Sequence, residues 1–232
     1  MSATVLVPGG TGGLGVAVTH ALSAAGWRVV VPWHSNGALE RLGDDSAVVT
    51  VRADLSDPDS VAEVVAVASS DADAPLRAVA HLVGGFAMGK RLHETPVEDF
   101  ESMLQLNLRP LYLTVQGALP HLIEAGGGSI VTVSSKTAFA PFAGASAYVT
   151  SKAAVWALTS ALAVEYARDG IRANSVLPSM IDTPANRAQQ PSADRSSWVS
   201  PERIAAVVAF LCSEASAAIT GAQVPVPGVA ER

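Results

Sequence analysis

The run Thr4-Val5-Leu6-Val7-Pro8-Gly9-Gly10-Thr11-Gly12-Gly13-Leu14-Gly15 constrains this chain more than any other segment. An apolar, β-branched stretch enters a glycine cluster, and an amphipathic segment then continues to Ala25 and stops at Gly26. That order reads as strand, tight turn, helix. Glycines remove the Cβ atoms that would keep a pyrophosphate away from the backbone. The helix start adds unpaired N–H groups and the positive end of a dipole. The spacing is Gly9-x-x-x-Gly13-x-Gly15 rather than Gly-x-Gly-x-x-Gly. A dinucleotide is therefore expected against Gly9, Thr11, Gly12, Gly13, Leu14 and Gly15. The plainer alternative is a glycine-rich turn that binds nothing.

Apolar strand-like runs alternate with helical patterns along the rest of the chain. Strands are expected at Arg28–Trp33, Ala47–Arg52, Leu76–Val83, Ser129–Ser134, Ile171–Leu177 and Gln223–Val226. Between them lie a short helix near Gly37–Leu42, a helix opened by Asp57-Pro58-Asp59, a long helical stretch from Val97 to Ala125, and helices at Ser146–Arg168 and Pro201–Ser213. Pro110 and Pro120 should each break or kink the long stretch. The pattern predicts an α/β fold: one doubly wound (Rossmann-type) domain with a parallel sheet flanked by helices on both faces. A length of 232 residues fits a single domain, and there is no repeat or linker. In such a sheet the ligand sits beyond the carboxyl ends of the strands. Gly9–Gly15, Asp54-Leu55, Gly84-Gly85, Ser134-Ser135 and Pro178–Thr183 all directly follow predicted strands.

Tyr148 and Lys152 are spaced Tyr-x-x-x-Lys, a little over one helical turn, so phenol and ammonium project from one face. A neighbouring cation is expected to lower the phenol's pKa and make it a usable proton donor and acceptor. Ser134 and Ser135 stand a short way upstream, and either can be a strand-end hydrogen-bonder. The net charge of -6, a pI near 5.3 and the lack of any Lys/Arg cluster argue against a nucleic-acid partner. The single cysteine, Cys212, reads as a small core residue. His20, His81, His93 and His121 have no metal-ligand spacing, so no metal is expected, and His81 reads as a satisfied core histidine. No leader segment or uninterrupted apolar span is present, which makes a cytoplasmic protein without a membrane partner the expectation.

Taken in order, these residues resemble the short-chain dehydrogenase/reductase family almost from end to end. The markers are the glycine spacing, Asp54-Leu55, Asn107, Ser135 ahead of Tyr148-x-x-x-Lys152, Asn174-Ser175-Val176-Leu177-Pro178, and Thr220-Gly221. The spacings of Asn107, Ser135, Tyr148 and Lys152 are similar to those of β-ketoacyl-carrier-protein reductases. Val83-Gly84-Gly85 and Asp182-Thr183-Pro184 with Asn186-Arg187 resemble dihydropteridine reductases instead. The resemblance implies a nicotinamide-dependent oxidoreductase acting on a small-molecule carbonyl substrate, and a homotetramer (or homodimer) built through the long helices. It assigns Tyr148 as proton donor, Lys152 to the phenol and the nicotinamide ribose, Ser135 to the carbonyl oxygen, and Asn107 to a water that resupplies protons. Asp54 and Leu55 would meet the adenine, Gly84 and Gly85 would border the cofactor, and Pro178, Ile181 and Thr183 would lie at the carboxamide.

The second strand ends Val31-Pro32-Trp33-His34-Ser35-Asn36, so Trp33 stands where an acid selecting NAD would lie. His34, Ser35 and Asn36 can donate hydrogen bonds to a 2′-phosphate, and Arg41 is a nearby cation. NADP(H) is therefore expected ahead of NAD(H), with Trp33, His34 and Ser35 at the adenosine end. The segment Pro184–Ser200 lies at the family's substrate lid and is short, and Phe86, Met88, Phe139 and Phe142 are candidates for an apolar wall. The reading is an NADPH-dependent carbonyl reductase. The alternatives are a 3-oxoacyl-carrier-protein or pteridine-type reductase, or a dinucleotide-binding regulatory protein without turnover.

Overall fold

A computed structural model describes residues 3–228, apart from the side chains of residues 36–38. Seven strands form one sheet: β1 (Thr4–Leu6), β2 (Arg28–Trp33), β3 (Val48–Arg52), β4 (Leu76–His81), β5 (Gly128–Val133), β6 (Ile171–Pro178) and β7 (Gln223–Val226). The helices are α1 (Gly15–Ala24), α2 (Pro58–Ser69), α3 (Val97–Asn107), α4 (Arg109–Glu124), α5 (Ser146–Glu165), α6 (Pro184–Gln189) and α7 (Pro201–Cys212). The strand order is β3-β2-β1-β4-β5-β6-β7 and every pairing is parallel. This is the doubly wound sheet that the alternating pattern implied.

Strand side chains alternate between the two faces, and the core divides accordingly. Leu6, Val30, Val79 and Ile130 pack with Val61 and Val65 of α2, Leu111 and Leu122 of α4, and Val155 of α5. Val5, Val29, Ala78 and Val131 pack with Val18 and Leu22 of α1 and Ile204 and Val208 of α7. Each strand in the middle of the sheet is thus covered on both sides, which is why its sequence reads as a continuous apolar run. Cys212 lies in the second cluster at 4% exposure, and burial pushes its thiol pKa up to about 12.

Local chemistry sets the helix ends. The Asp57 side chain accepts from Ser60 N–H at 3.1 Å with Pro58 in the first turn, and Ser200 does the same for α7 ahead of Pro201. Gly170, at φ 71°, turns the chain from the end of α5 into β6.

The two prolines of the long helical stretch behave differently. The break falls at Leu108, between Asn107 and Pro110, so that Pro110 sits in the first turn of a new helix, where its missing N–H is harmless. Pro120, by contrast, does not break α4. It lies on the exposed face with Gln116, while Ala118, Leu119 and Leu122 are buried and anchor the helix in the core. Among the described residues α5 alone has the length and composition to cross a membrane. It carries the buried Lys152, and its inner face packs on β5 and β6.

The glycine turn leaves no room for substitution at its last position. A Cβ on Gly15 would collide with the carbonyl oxygen of Gly9 and lie 2.7 Å from Gly10. Gly15→Ala is expected to destabilise the protein by roughly 1–3 kcal/mol through overpacking. Thermal unfolding should record a fall in Tm of about 2–10 °C, and an unchanged Tm would mean that the turn yields freely.

Candidate active site

Six segments leave the carboxyl ends of neighbouring strands at one edge: the glycine turn, Trp33, Asp54-Leu55, Gly84-Gly85, Ser134-Ser135 and Pro178–Thr183. Strand order reverses between β1 and β4, which opens a crevice there. Leu82 N–H donates to the Pro8 carbonyl at 2.8 Å and closes the two strand ends on each other. Gly9, at φ 84°, fits because a Cβ there would lie 2.9 Å from the backbone of Leu82 and Val83. Gly12 N–H donates to the Gly9 carbonyl at 2.9 Å, and Leu14 opens α1. That helix has no side-chain cap and no acid in its first turn, so the protein leaves the positive dipole end uncompensated. The arrangement fits a phosphate.

The segment after β6 lies directly on this turn. A Cβ on Gly13 would approach the Thr183 side chain to 2.9 Å. Thr183 is buried, and its hydroxyl accepts from Asn186 N–H at 3.2 Å, capping α6. Asn186 Nδ2 donates to the Ile181 carbonyl at 2.8 Å, and Arg187 grips Asp182 through two bonds of 2.6 and 2.7 Å. A bridge between Ile181 and Val199 completes the clasp. Asp182, Thr183, Asn186 and Arg187, part of the sequence resemblance to dihydropteridine reductases, are therefore occupied in fastening the start of the segment 184–200. Pro178 is buried at the end of β6, beside Val226.

At the opposite end, Trp33 is half-buried and its carbonyl accepts from Ala53 N–H at 2.9 Å. His34 and Ser35 are exposed, while the side chain of Asn36 lies outside the described residues. Arg41 reaches back over the glycine turn, with Nη1 3.5 Å from the Thr11 carbonyl. Asp54 Oδ1 accepts from the Ser56 hydroxyl at 2.7 Å and its N–H at 2.9 Å. These bonds, with a smaller contribution from His34, hold its carboxyl below the usual range. Leu55 is half-buried against the core.

The two serines separate cleanly. Ser134 is buried and its hydroxyl donates to the Lys152 carbonyl at 2.7 Å, tying β5 to α5. Ser135 Oγ accepts from Thr137 N–H at 3.2 Å and from the Thr137 hydroxyl at 2.9 Å, and both hydroxyls act on the Tyr148 phenol. Thr137 was not singled out from the sequence. A hydroxyl two residues after a strand-end serine is the signal that could have found it.

Lys152 is 6% exposed, and its Nζ donates to the Val133 carbonyl at 3.1 Å. Burial lowers its pKa to about 8. Burial also raises that of Tyr148, against the opposing pull of Ser135 and Thr137. The sequence expectation had the phenol lowered by the lysine. That is corrected here, because desolvation dominates and the ammonium is engaged by a carbonyl. Asn107 ends α3, where its Oδ1 accepts from Gly85 N–H at 2.8 Å and its Nδ2 donates to the Gly85 carbonyl and the Ser151 hydroxyl. A Cβ on Gly84 would lie 2.6 Å from Asn107 Oδ1 and 2.8 Å from Lys152 Nζ, so both groups border one point after β4.

The proposed apolar wall divides. Phe86 stands edge-on to Tyr148, ring centroids 4.9 Å apart, and Phe142 lies 6.4 Å from Phe86. Phe139 packs instead on Trp156. Met88 lines a separate cavity of about 500 Å³ with Lys90, Glu94 and Asp99. His81 is buried, and burial together with Lys152 pushes its pKa down to about 3. The backbone carbonyls of Pro110 and of His81 itself oppose that shift, though Nε2 meets no acceptor or donor in good hydrogen-bond geometry. Thr132, opposite it in register, is already bonded to Thr159 and Ser175.

Residues 9–228 match the family model described as Enoyl-(Acyl carrier protein) reductase, and relatives match over nearly the whole chain. The chain belongs to the short-chain dehydrogenase/reductase family. It is 34% identical to 2-(R)-hydroxypropyl-CoM dehydrogenase of Xanthobacter autotrophicus, covering 98% of each chain. It is also 34% identical to cis-4-hydroxycyclohexanecarboxylate dehydrogenase of Sinomonas cyclohexanicum, covering 96% of this chain and 94% of that one. The structure of 3-ketoacyl-(acyl-carrier-protein) reductase from Brucella melitensis, complexed with NADH, superposes with a TM-score of 0.87 at 26% identity over 97% of each chain. As a short-chain dehydrogenase/reductase the protein is an NAD(P)-dependent oxidoreductase with a nicotinamide dinucleotide as cofactor.

The buried ammonium can be observed directly. The chain has three lysines. In a ¹³C-methyl-tagged or ¹³Cε-labelled sample, one lysine signal is expected to titrate near pH 8 and to vanish in Lys152→Met. A Lys152 signal that keeps the ordinary lysine pKa would contradict the burial.

Proposed function

We propose that the protein is an NADPH-dependent carbonyl reductase acting on a ketone with an apolar or aromatic substituent beside the carbonyl. The observation that carries this reading is the meeting of Tyr148, Ser135 and Lys152 at the sheet edge, beside Gly84 and across from the glycine turn. Gly9, Thr11, Gly12, Gly13, Leu14 and Gly15 would hold the pyrophosphate. Asp54 and Leu55 would meet the adenine, Gly84 and Gly85 would border the nicotinamide ribose, and Pro178, Ile181 and Thr183 would meet the carboxamide. When bound, the reduced cofactor supplies a hydride.

The side chains do the rest. Ser135 donates to the carbonyl oxygen and stabilises the negative charge growing on it. Tyr148 keeps its proton well above neutral pH and gives it to that oxygen as the alcohol forms. Lys152, with a pKa of about 8, bonds the ribose and returns a proton to the phenol. The free lone pair of Asn107 Oδ1, beside Lys152 Nζ, is suited to a water that links the lysine to solvent.

Support for NADPH is electrostatic. No carboxylate ends β2, and the Arg41 guanidinium lies over the glycine turn, where a 2′-phosphate would meet it together with Trp33, His34 and Ser35. Support for the substrate class comes from Phe86, edge-on to the phenol, and Phe142 beside Phe86, each more than two-fifths exposed. Arg187 is paired with Asp182, Arg109 is bonded to the Ser56 carbonyl, and Arg195 lies over Trp198. These arginines therefore do not unite into a patch for an acidic carrier protein.

We also read the protein as cytoplasmic and as a homotetramer (or homodimer) joined through the outer faces of α4 and α5, where Tyr112 and Val164 are exposed. Light scattering should return a mass of four or two chains, and a monomer at micromolar concentration would reject that interface.

Turnover of 1-phenyl-1,2-propanedione is expected with a higher kcat/KM for NADPH than for NADH. Tyr148→Phe should reduce kcat by about 10²–10⁴ with little change in NADPH affinity. An NADH preference would overturn the cofactor choice, and full activity in Tyr148→Phe would remove the phenol from the chemistry.

A further inference from the structure

Ser135 is the one hydroxyl in the site whose role depends on the direction of a single hydrogen. As a donor it stabilises charge on a carbonyl oxygen; as an acceptor it would instead take the proton of Tyr148. A serine oxygen has two lone pairs. In this structure two donors approach Ser135 Oγ, the backbone N–H of Thr137 at 3.2 Å and the Thr137 hydroxyl at 2.9 Å. The first caps the short 3-10 turn Lys136–Ala138, so Ser135 is locked by the backbone that follows it. With both lone pairs filled, the hydroxyl hydrogen of Ser135 has only the outward direction, toward the space in front of the phenol.

We propose that Thr137 is a positioning residue that commits Ser135 to hydrogen-bond donation and so reserves the Tyr148 proton for the substrate oxygen. Thr137 is half-buried, and its one hydroxyl hydrogen is already given to Ser135. The Ser135 and Thr137 hydroxyls both face the phenol, so Thr137 acts on it beside the serine as well as through it. That influence has the sign expected of a donating Ser135: both hydroxyls favour the ionised phenol and oppose the effect of burial. Lys136, between the two, is exposed and takes no part in the arrangement. The inference rests on the roles assigned above to Ser135 and Tyr148.

Thr137→Val removes the hydroxyl and keeps the shape of the side chain. With 1-phenyl-1,2-propanedione and NADPH it is expected to lower kcat roughly tenfold, the scale of one hydrogen bond at a reacting centre. The KM for the diketone and the dissociation constant of NADPH should stay within about twofold, and Thr137→Ser should recover most of the rate. In the cofactor-free protein, the ¹³Cζ signal of Tyr148 should titrate at higher pH in Thr137→Val than in the wild type. Should valine disturb the turn, Thr137→Ala retains the N–H bond to Ser135 and should show the same loss of kcat.

Unchanged kcat and an unchanged Tyr148 titration in Thr137→Val, alongside inactive Ser135→Ala and Tyr148→Phe, would overturn the inference and leave the site reading standing. Activity retained in both Ser135→Ala and Tyr148→Phe would overturn the site reading, and this inference with it.

Discussion

The backbone N–H of Leu82 donates to the carbonyl of Pro8, and this bond seats the strand that enters the glycine turn against the strand that runs into Gly84-Gly85. Everything at the sheet edge depends on that closeness. Because β1 and β4 pair where the strand order reverses, α1 after β1 and α4 after β4 pack on opposite faces, and a crevice opens between the two strand ends. No side chain fits where the two strand ends meet, since a Cβ on Gly9 would press into the backbone of Leu82 and Val83. On the far side, Gly13 admits Thr183 by the same means. The turn is thus enclosed by two neighbours that each require a missing methyl group, and its open side faces the mouth of the crevice.

Along the same edge the chemistry is tuned by removal from water more than by charge pairing. An ammonium at Lys152 loses hydration on burial and regains one bond from the Val133 carbonyl, which leaves its proton easily lost. The phenol of Tyr148 loses hydration too, and burial makes its proton harder to lose, not easier. The roles proposed for the two groups call for this difference: the phenol keeps its proton, and the lysine exchanges one near pH 8. Phe86, edge-on to the phenol, belongs to the apolar surroundings of that proton.

Much of this architecture was legible in the residues. Alternating apolar runs specify strands buried on both faces, and β2 and β7 fall where the pattern placed them. Helix starts were readable because Asp57 and Ser200 each precede a proline, a purely local signal. Pro120 was not readable, since what keeps α4 whole is the anchoring of Leu119 and Leu122 on a sheet formed by distant parts of the chain. The spacing from Tyr148 picked out Ser135, and the structure supplies the reason Ser134 differs: its hydroxyl is bonded to the Lys152 carbonyl. The direction of the phenol's shift was misjudged because spacing along a helix reports proximity, whereas burial depends on the whole fold. In sequence Asp182 and Arg187 only resembled dihydropteridine reductases, and the path of the chain through Ile181 and Val199 reveals them as a fastening.

Cys212, buried at the end of α7 with its thiol proton held until strongly alkaline conditions, has a practical corollary. Thiolate is the species that reacts with maleimides and iodoacetamide, so the chain's only native sulfhydryl is a poor target in the folded state. A cysteine introduced on the Pro184–Gln189 helix would carry a fluorophore or spin label by itself, with the wild-type background left in place. The molecule is ready for distance measurements across its crevice without first being stripped of a core residue.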